Sequence, residues 1–290
     1  MVIDCHYHLE ERVFTVDELL REMDKCGIQK TALMASMIGP FSEPPVFLIR
    51  ILQFLLENST LRWSGRLLVS NFTSDGDVKI LGKPYHIDKD PDNEAVFNAV
   101  KRYPDRFLGW IFVNPKGKKD QISEFEKYKN MPGFIGIKAH PFWHHFKPVE
   151  LASVAEKLAQ IGKPLLIHLG FDEEGDFEAL LRKVPNLKLI LAHAGFPRYS
   201  NTWEKIKNRK NIYLDISQTT YTSENATLGV VEYLGVDRIL FGTDGPYGFH
   251  GSDHQYDYGF IKRRIEGMFA DIKIRERLLG GSFSDVVGLG

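Results

Sequence analysis

Cysteine is scarce in this chain: of 290 residues, only Cys5 and Cys26 carry a thiol. Two thiols cannot build a disulfide framework or a closed all-cysteine metal site, so both are expected to be reduced and buried. Long apolar runs are missing too. The most extended, Pro44 to Leu56, is broken by Arg50 and Gln53 and falls short of the roughly 20 residues that a bilayer span needs. An excess of one charge is also absent, with 37 Lys and Arg against 38 Asp and Glu. That balance gives no electrostatic reason for a nucleic-acid or anionic-membrane partner. With no secretory signal ahead of the first strand, the expectation is a soluble cytoplasmic protein acting on a small molecule.

What is present is alternation. Short apolar runs, Met1–Cys5, Gln29–Ser36, Phe107–Asn114, Phe134–His140, Pro164–Leu169, Leu187–Ala194, Asn211–Ile216 and Arg238–Thr243, read as strands. Between most of them lie segments with helical spacing, beginning with Val16 to Lys25, which has Thr15 as N-cap and Gly27 as stop. Eight such units predict a parallel sheet closed into an α/β (β/α)8 TIM barrel, one domain over residues 1–290. Residues 37–106 are too long for a simple connection. They predict an insertion between strands two and three, with helices through Leu56 and near Asn93–Tyr103, serving as a lid or an interface. Phe41, Phe47 and Phe54 are expected to pack on the barrel wall or to serve that lid or interface.

Ligand-type residues collect at one end of these strands. His6 and His8 close the first, and residues two apart on a strand share a face. His168, His193 and Asp244 end three others. In a barrel of this kind the C-terminal strand ends carry the chemistry. Imidazoles with a carboxylate suit one divalent ion, zinc above all, with manganese or another first-row ion as alternative, and leave a position open for water or substrate.

The ordered motifs Ile3-Asp4-Cys5-His6-Tyr7-His8, Gly136-Ile137-Lys138-Ala139-His140-Pro141, Pro164-Leu165-Leu166-Ile167-His168, Leu191-Ala192-His193-Ala194-Gly195 and Phe241-Gly242-Thr243-Asp244 resemble the amidohydrolase superfamily. The resemblance is to the amidohydrolase-related branch that includes aminocarboxymuconate-semialdehyde decarboxylase. It implies that His6, His8, His168 and Asp244 bind one ion, that Asp244 also relays a proton, and that His193 is an acid/base group. Lys138 is expected beside the site as a charged or hydrogen-bonding group, with a carboxylated lysine bridging two metals as the alternative. Asp4 is expected to be structural.

His140, Trp143, Arg198, Tyr247 and His250 fall on loops after strands four, six and eight, where they can reach substrate. Of these, His140 and Arg198 are substrate-binding candidates together with Lys138, Arg198 for a carboxylate. His86, His144, His145 and His254 are expected to be solvated or structural. The function read from this set is metal-dependent hydrolysis of a small anionic substrate. Nonoxidative decarboxylation of an unsaturated or aromatic acid is the alternative, and a non-enzymatic metal-binding scaffold the third reading. A homodimer is a further expectation.

Overall fold

The computed structural model describes residues 1–41, 44–247 and 256–289. Eight strands, β1 (Ile3–Leu9), β2 (Lys30–Ala35), β3 (Phe107–Phe112), β4 (Phe134–Ala139), β5 (Leu165–Ile167), β6 (Leu189–Leu191), β7 (Ile212–Asp215) and β8 (Ile239–Leu240), lie side by side in chain order, and their paired neighbours run parallel. Parallel neighbours need crossovers, and helices on the outside supply most of them. The first and last strands meet through backbone bonds from Cys5 N to Phe241 O (3.0 Å), Asp244 N to His6 O (2.7 Å) and His8 N to Gly245 O (2.6 Å). This is the expected (β/α)8 barrel, and its seam runs through three of the candidate site residues.

The apolar side chains form two main shells. Ile3, Cys5, Met34, Trp110, Leu166 and Ile190 fill the interior, and Phe283, Val286 and Val287 of the helix Ser282–Val287 close its lower end. Lys163 and Lys188 donate to the Val287 and Val286 carbonyls at 2.7 and 2.8 Å, where cations offset the partial negative charge of the helix end. The larger shell packs the outer strand faces against the helices. Helix α1 (Val16–Cys26) begins with a reciprocal cap in which Thr15 Oγ1 accepts from Glu18 N and the Glu18 carboxylate accepts from Thr15 N. It ends at Gly27 with φ 67°, a conformation that glycine adopts without steric cost. Cys5 is buried and free, whereas Cys26 is only half-buried, because it lies on the last turn of α1.

Between β2 and β3 come helix α2 (Val46–Glu57), helix α3 (Arg62–Val69), a hairpin of Val78–Ile80 with Lys83–Tyr85, and helix α4 (Asn93–Arg102). The sequence anticipates α2 and α4 but not α3 or the hairpin. A Cβ on Gly65 would fall 2.8 Å from the Leu56 side chain, so this glycine lets α3 approach α2. A helix at Gln121–Tyr128, capped by Asp120, was not anticipated either. Among the described residues no helix is long and apolar enough to cross a membrane.

Candidate active site

The strand ends owe their aim to two irregularities. On β1 the register with β2 slips by one residue between Asp4 and Tyr7. The Asp4 carboxylate accepts the His6 N–H at 3.0 Å there, a local bond that competes with the ladder. The extra residue reverses the alternation, so Ile3 and Cys5 face the interior below while His6 and His8 face it above. Asp4 also accepts from Thr243 N (3.0 Å), Thr243 Oγ1 (2.6 Å) and Tyr258 OH (3.0 Å). It pins β8 to β1, the structural role expected of it, and burial pushes its carboxyl up to about 6. A second slip, between β3 and β4 at Gly109/Trp110, lets both Ile135 and Lys138 turn inward.

His6 Nδ1 donates to Asp215 Oδ2 at 3.0 Å, and His8 Nδ1 donates to Ala35 O at 3.3 Å. Both rings therefore present Nε2 to one atom, Asp244 Oδ1, at 2.9 and 3.3 Å. The three ligand atoms lie within 4.8 Å of one another. A bare imidazole lone pair and a carboxylate oxygen repel at such distances unless a proton or a cation lies between them. Burial and Lys138 pull the His6 pKa down, but Asp244 and Asp215 outweigh them and the net shift is upward. Burial would raise Asp244, yet His6 and His8 hold it well below the usual carboxylate range. The cluster thus favours positive charge at its centre, as a divalent cation would supply.

A proton chain fixes the remaining tautomers. Ser217 Oγ donates to Asp215 Oδ1, which also accepts the backbone N–H of His193 and of Ser217 at 3.0 Å each. Ser217 Oγ in turn accepts from His193 Nδ1 at 2.9 Å. His193 Nε2 is then an acceptor and takes the His168 Nδ1 proton at 3.2 Å. What is left is His168 Nε2, a lone pair that is buried and without a hydrogen-bond partner. Burial holds His8 below the normal imidazole range, His168 well below it and His193 at about 4, so these rings are neutral at neutral pH, and His8 and His168 each keep an Nε2 lone pair that can ligate. His6, His193 and Asp215 also converge, but the bonds just described already occupy that group.

Above the cluster lies a cavity of about 340 Å³. His8, Lys138, His140, His168 and Asp244 form its floor, and α2, α3 and the hairpin roof it with aliphatic side chains. Lys138 is fully buried and donates to His6 Nε2 at 3.1 Å, and burial lowers its ammonium to about 8. His140 Nδ1 accepts from Trp143 N at 3.1 Å, and its ring lies 4.1 Å from that of His168. Four non-glycine residues at these strand ends, His193, Ala194, Gln218 and Asp244, adopt φ between 53° and 59°, a costly backbone region that clusters at functional sites.

The structure brings His6, His8 and Asp244 together and sets His168 beside His193 and His140. His193 stands behind His168 and stacks on His6 with ring centroids 5.4 Å apart. Trp143 and Tyr247 reach the cavity as expected. Arg198 does not: it is exposed, away from the cavity lining, and its Nη2 donates to Phe171 O at 2.8 Å. The turn after β6 carries it outward over the rim. Phe41 lines the cavity and stacks on Tyr247 at 5.3 Å, while Phe47 and Phe54 remain exposed. His86 and His145 are exposed, and buried His144 donates to Asp88 O at 3.0 Å. His250 and His254 lie outside the described residues.

The family model Amidohydro_2, described as amidohydrolase, matches residues 86–281. The chain belongs to this amidohydrolase family. No curated protein matches it. Solved structures similar to this family member include a protein described as a probable 2-pyrone-4,6-dicarboxylic acid hydrolase from Acinetobacter baumannii with citric acid bound. It is 14% identical over 99% of each chain, with a TM-score of 0.62. A 2,6-dihydroxybenzoate decarboxylase complexed with 2,6-dihydroxybenzoate is 14% identical over 99% of this chain and 98% of its own, also with a TM-score of 0.62. A 5-carboxyvanillate decarboxylase from Novosphingobium aromaticivorans with bound manganese is 15% identical over 96% and 82%, with a TM-score of 0.58. Identities this low establish the shared barrel, and the set contains both hydrolase and decarboxylase names.

In this amidohydrolase, sequence reasoning missed Asp215, Ser217 and Gln218. Asp215 ends β7 as Asp244 follows β8, and Ser217 is two residues on, so the strand-end rule that found the histidines also reaches them. Gln218 Nε2 donates to Asp244 Oδ2 at 3.0 Å and to Tyr247 O at 2.8 Å; nothing in its sequence context signals that bond.

Proposed function

We propose that the chain is a metal-dependent hydrolase of a small carboxylic-acid derivative, with one divalent ion held by His6, His8, Asp244 and His168. Zinc is the first choice, with manganese or another first-row ion next. The observation that carries this reading is the buried, unpartnered His168 Nε2 on the same cavity floor where the His6 and His8 lone pairs meet Asp244 Oδ1. Such an ion, when bound, polarises a substrate oxygen and makes water more acidic.

The residues divide the remaining work. Asp215 fixes the His6 tautomer, and Ala35 O fixes that of His8. Gln218 restrains the Asp244 carboxylate by binding its second oxygen, which leaves Oδ1 for the cation and for taking up a proton. His193 is assigned general acid/base catalysis: Nδ1 is committed to Ser217, so Nε2 is the nitrogen that exchanges a proton, giving up His168 to do so. Lys138 supplies fixed positive charge for an anionic substrate group, and His140 contacts substrate from the rim. The assembly proposed is a homodimer through exposed Phe47, Phe54 and Trp63, which a sedimentation mass of one chain would rule out.

Two measurements test the function. His6→Ala and Asp244→Ala should each lose most of the bound metal in gently purified protein; full metal content in both would end the ligand assignment. A panel of lactones, amides and aromatic acids turned over in ¹⁸O-water should yield labelled product. Release of carbon dioxide with no label in the organic product would replace hydrolysis by decarboxylation.

A further inference from the structure

The roof of the cavity is chemically unlike its floor. Leu48, Leu52, Leu67, Leu68, Ile80 and Leu81 line it from α2, α3 and the hairpin. Leu67 is 67% exposed, Leu68 58% and Leu81 57%, so these side chains gain little from the protein's own core. An isolated exposed leucine needs no explanation. Several around one concave mouth, continuous with a buried polar floor, make a surface for an apolar ligand group.

Leu81 adds a second observation. It occupies the two-residue turn between Ile80 and Lys83 with φ 49°, followed by Gly82 at φ 80°. Positive φ at both positions is the turn that asparagine followed by glycine serves best, and a leucine there costs backbone energy. The sequence keeps an apolar side chain at a position where a polar one folds more easily. Among the described residues no arginine lines the cavity; its cations are Lys138 on the floor and Lys79 on the hairpin. Lys138, the cation on the floor, suits one carboxylate, and the roof above it is mainly aliphatic.

We infer that the site takes a monoanionic substrate whose reacting group meets the strand ends while a hydrocarbon tail lies under α2, α3 and the hairpin tip. The position of the reacting group rests on the hydrolase reading; the tail rests on the roof alone. The test is equilibrium binding of straight-chain monocarboxylic acids, acetate through decanoate, to the full chain below their micelle concentrations. Each added methylene should tighten binding about fourfold until the tail fills the cavity, after which the series levels off. Leu68→Ser and Leu81→Asn should flatten the series and leave the thermal midpoint within a few degrees of the parent, Leu81→Asn at or above it.

A series flat from the start, or one as steep in both of these variants as in the parent, overturns the inference. The two readings fail separately. A steep series in protein that binds no metal and hydrolyses nothing keeps the tail site and removes the hydrolase. A flat series alongside labelled product from short substrates keeps the hydrolase and removes the tail site.

Discussion

The floor and the roof of the cavity are held by opposite means. On the floor nearly every ring nitrogen and carboxylate oxygen is committed: His6 to Asp215, His8 to Ala35 O, His193 to Ser217 and His168, Asp244 to Gln218. All these residues are buried, where a polar group left unpaired costs about 1–3 kcal/mol. The polar ties of the roof are part-buried or exposed, among them Gln53 to Thr219 O, Ser223 to Glu57 (2.8 Å), Arg66 to Asp172 and His144 to Asp88 O. Its aliphatic side chains are partly open to solvent. On the proposed function, the difference would place the chemistry on a scaffold of buried, paired groups and leave recognition to a segment that can vary without disturbing it.

The largest way to sharpen that contrast is His193→Ala. If the floor separates metal holding from proton transfer, this variant keeps its metal and loses about 10²- to 10⁴-fold in turnover. Elemental analysis beside kcat checks both halves. Metal loss in step with activity would mean that His193 serves only to orient His168, and the floor would then be a single metal-holding unit. Leu68→Ser, by contrast, should leave metal content untouched.

The next effect concerns the tie between the two regions. Burial lowers His144 to about 4, against the opposing pull of its bond to Asp88 O. An unfolded chain takes up that proton near 6.5, so the contribution is complete above 6.5 and is lost as the pH falls toward 4. The fully developed loss is on the order of 3 kcal/mol. Other buried histidines add their own slopes, so the informative quantity is the difference between the parent and His144→Gln, whose amide can still donate to Asp88 O. Urea unfolding between pH 4 and 7 should show a shallower fall for the variant. Parallel curves would mean that His144 does not tie roof to floor through its neutral form.

The same contrast decides what could be read from sequence. The floor was legible because strand ends in a barrel are fixed by the alternation of apolar runs, and His6, His8, Lys138, His168, His193 and Asp244 all sit where that alternation puts them. Parity within β1 was not, because the slip at Asp4 comes from one side-chain bond to His6 N. Arg198 could be placed after β6 but not aimed, since the direction of a loop depends on the tertiary contacts of residues such as Phe171. The roof was least legible. Helix α3 is eight residues long with Gly65 inside it, and the hairpin turns on Leu81-Gly82 instead of an asparagine-glycine pair; the usual signals are weak or absent in both.

Asp215→Asn is the smallest and most discriminating change. The residue lies behind the floor and does not line the cavity, yet it accepts from His6 Nδ1, Ser217 Oγ and two backbone N–H groups. An asparagine keeps the volume but has one acceptor oxygen instead of two. Either the His6 tautomer or the Ser217–His193 chain must then lose its partner. Partners of this kind typically set metal affinity by 10- to 100-fold, so competition with a chelator should show a weakening in that range, with binding of the hydrocarbon-tailed acids unchanged. If tail binding fell together with metal affinity, the roof would depend on the floor, and the separation of the two regions would not hold.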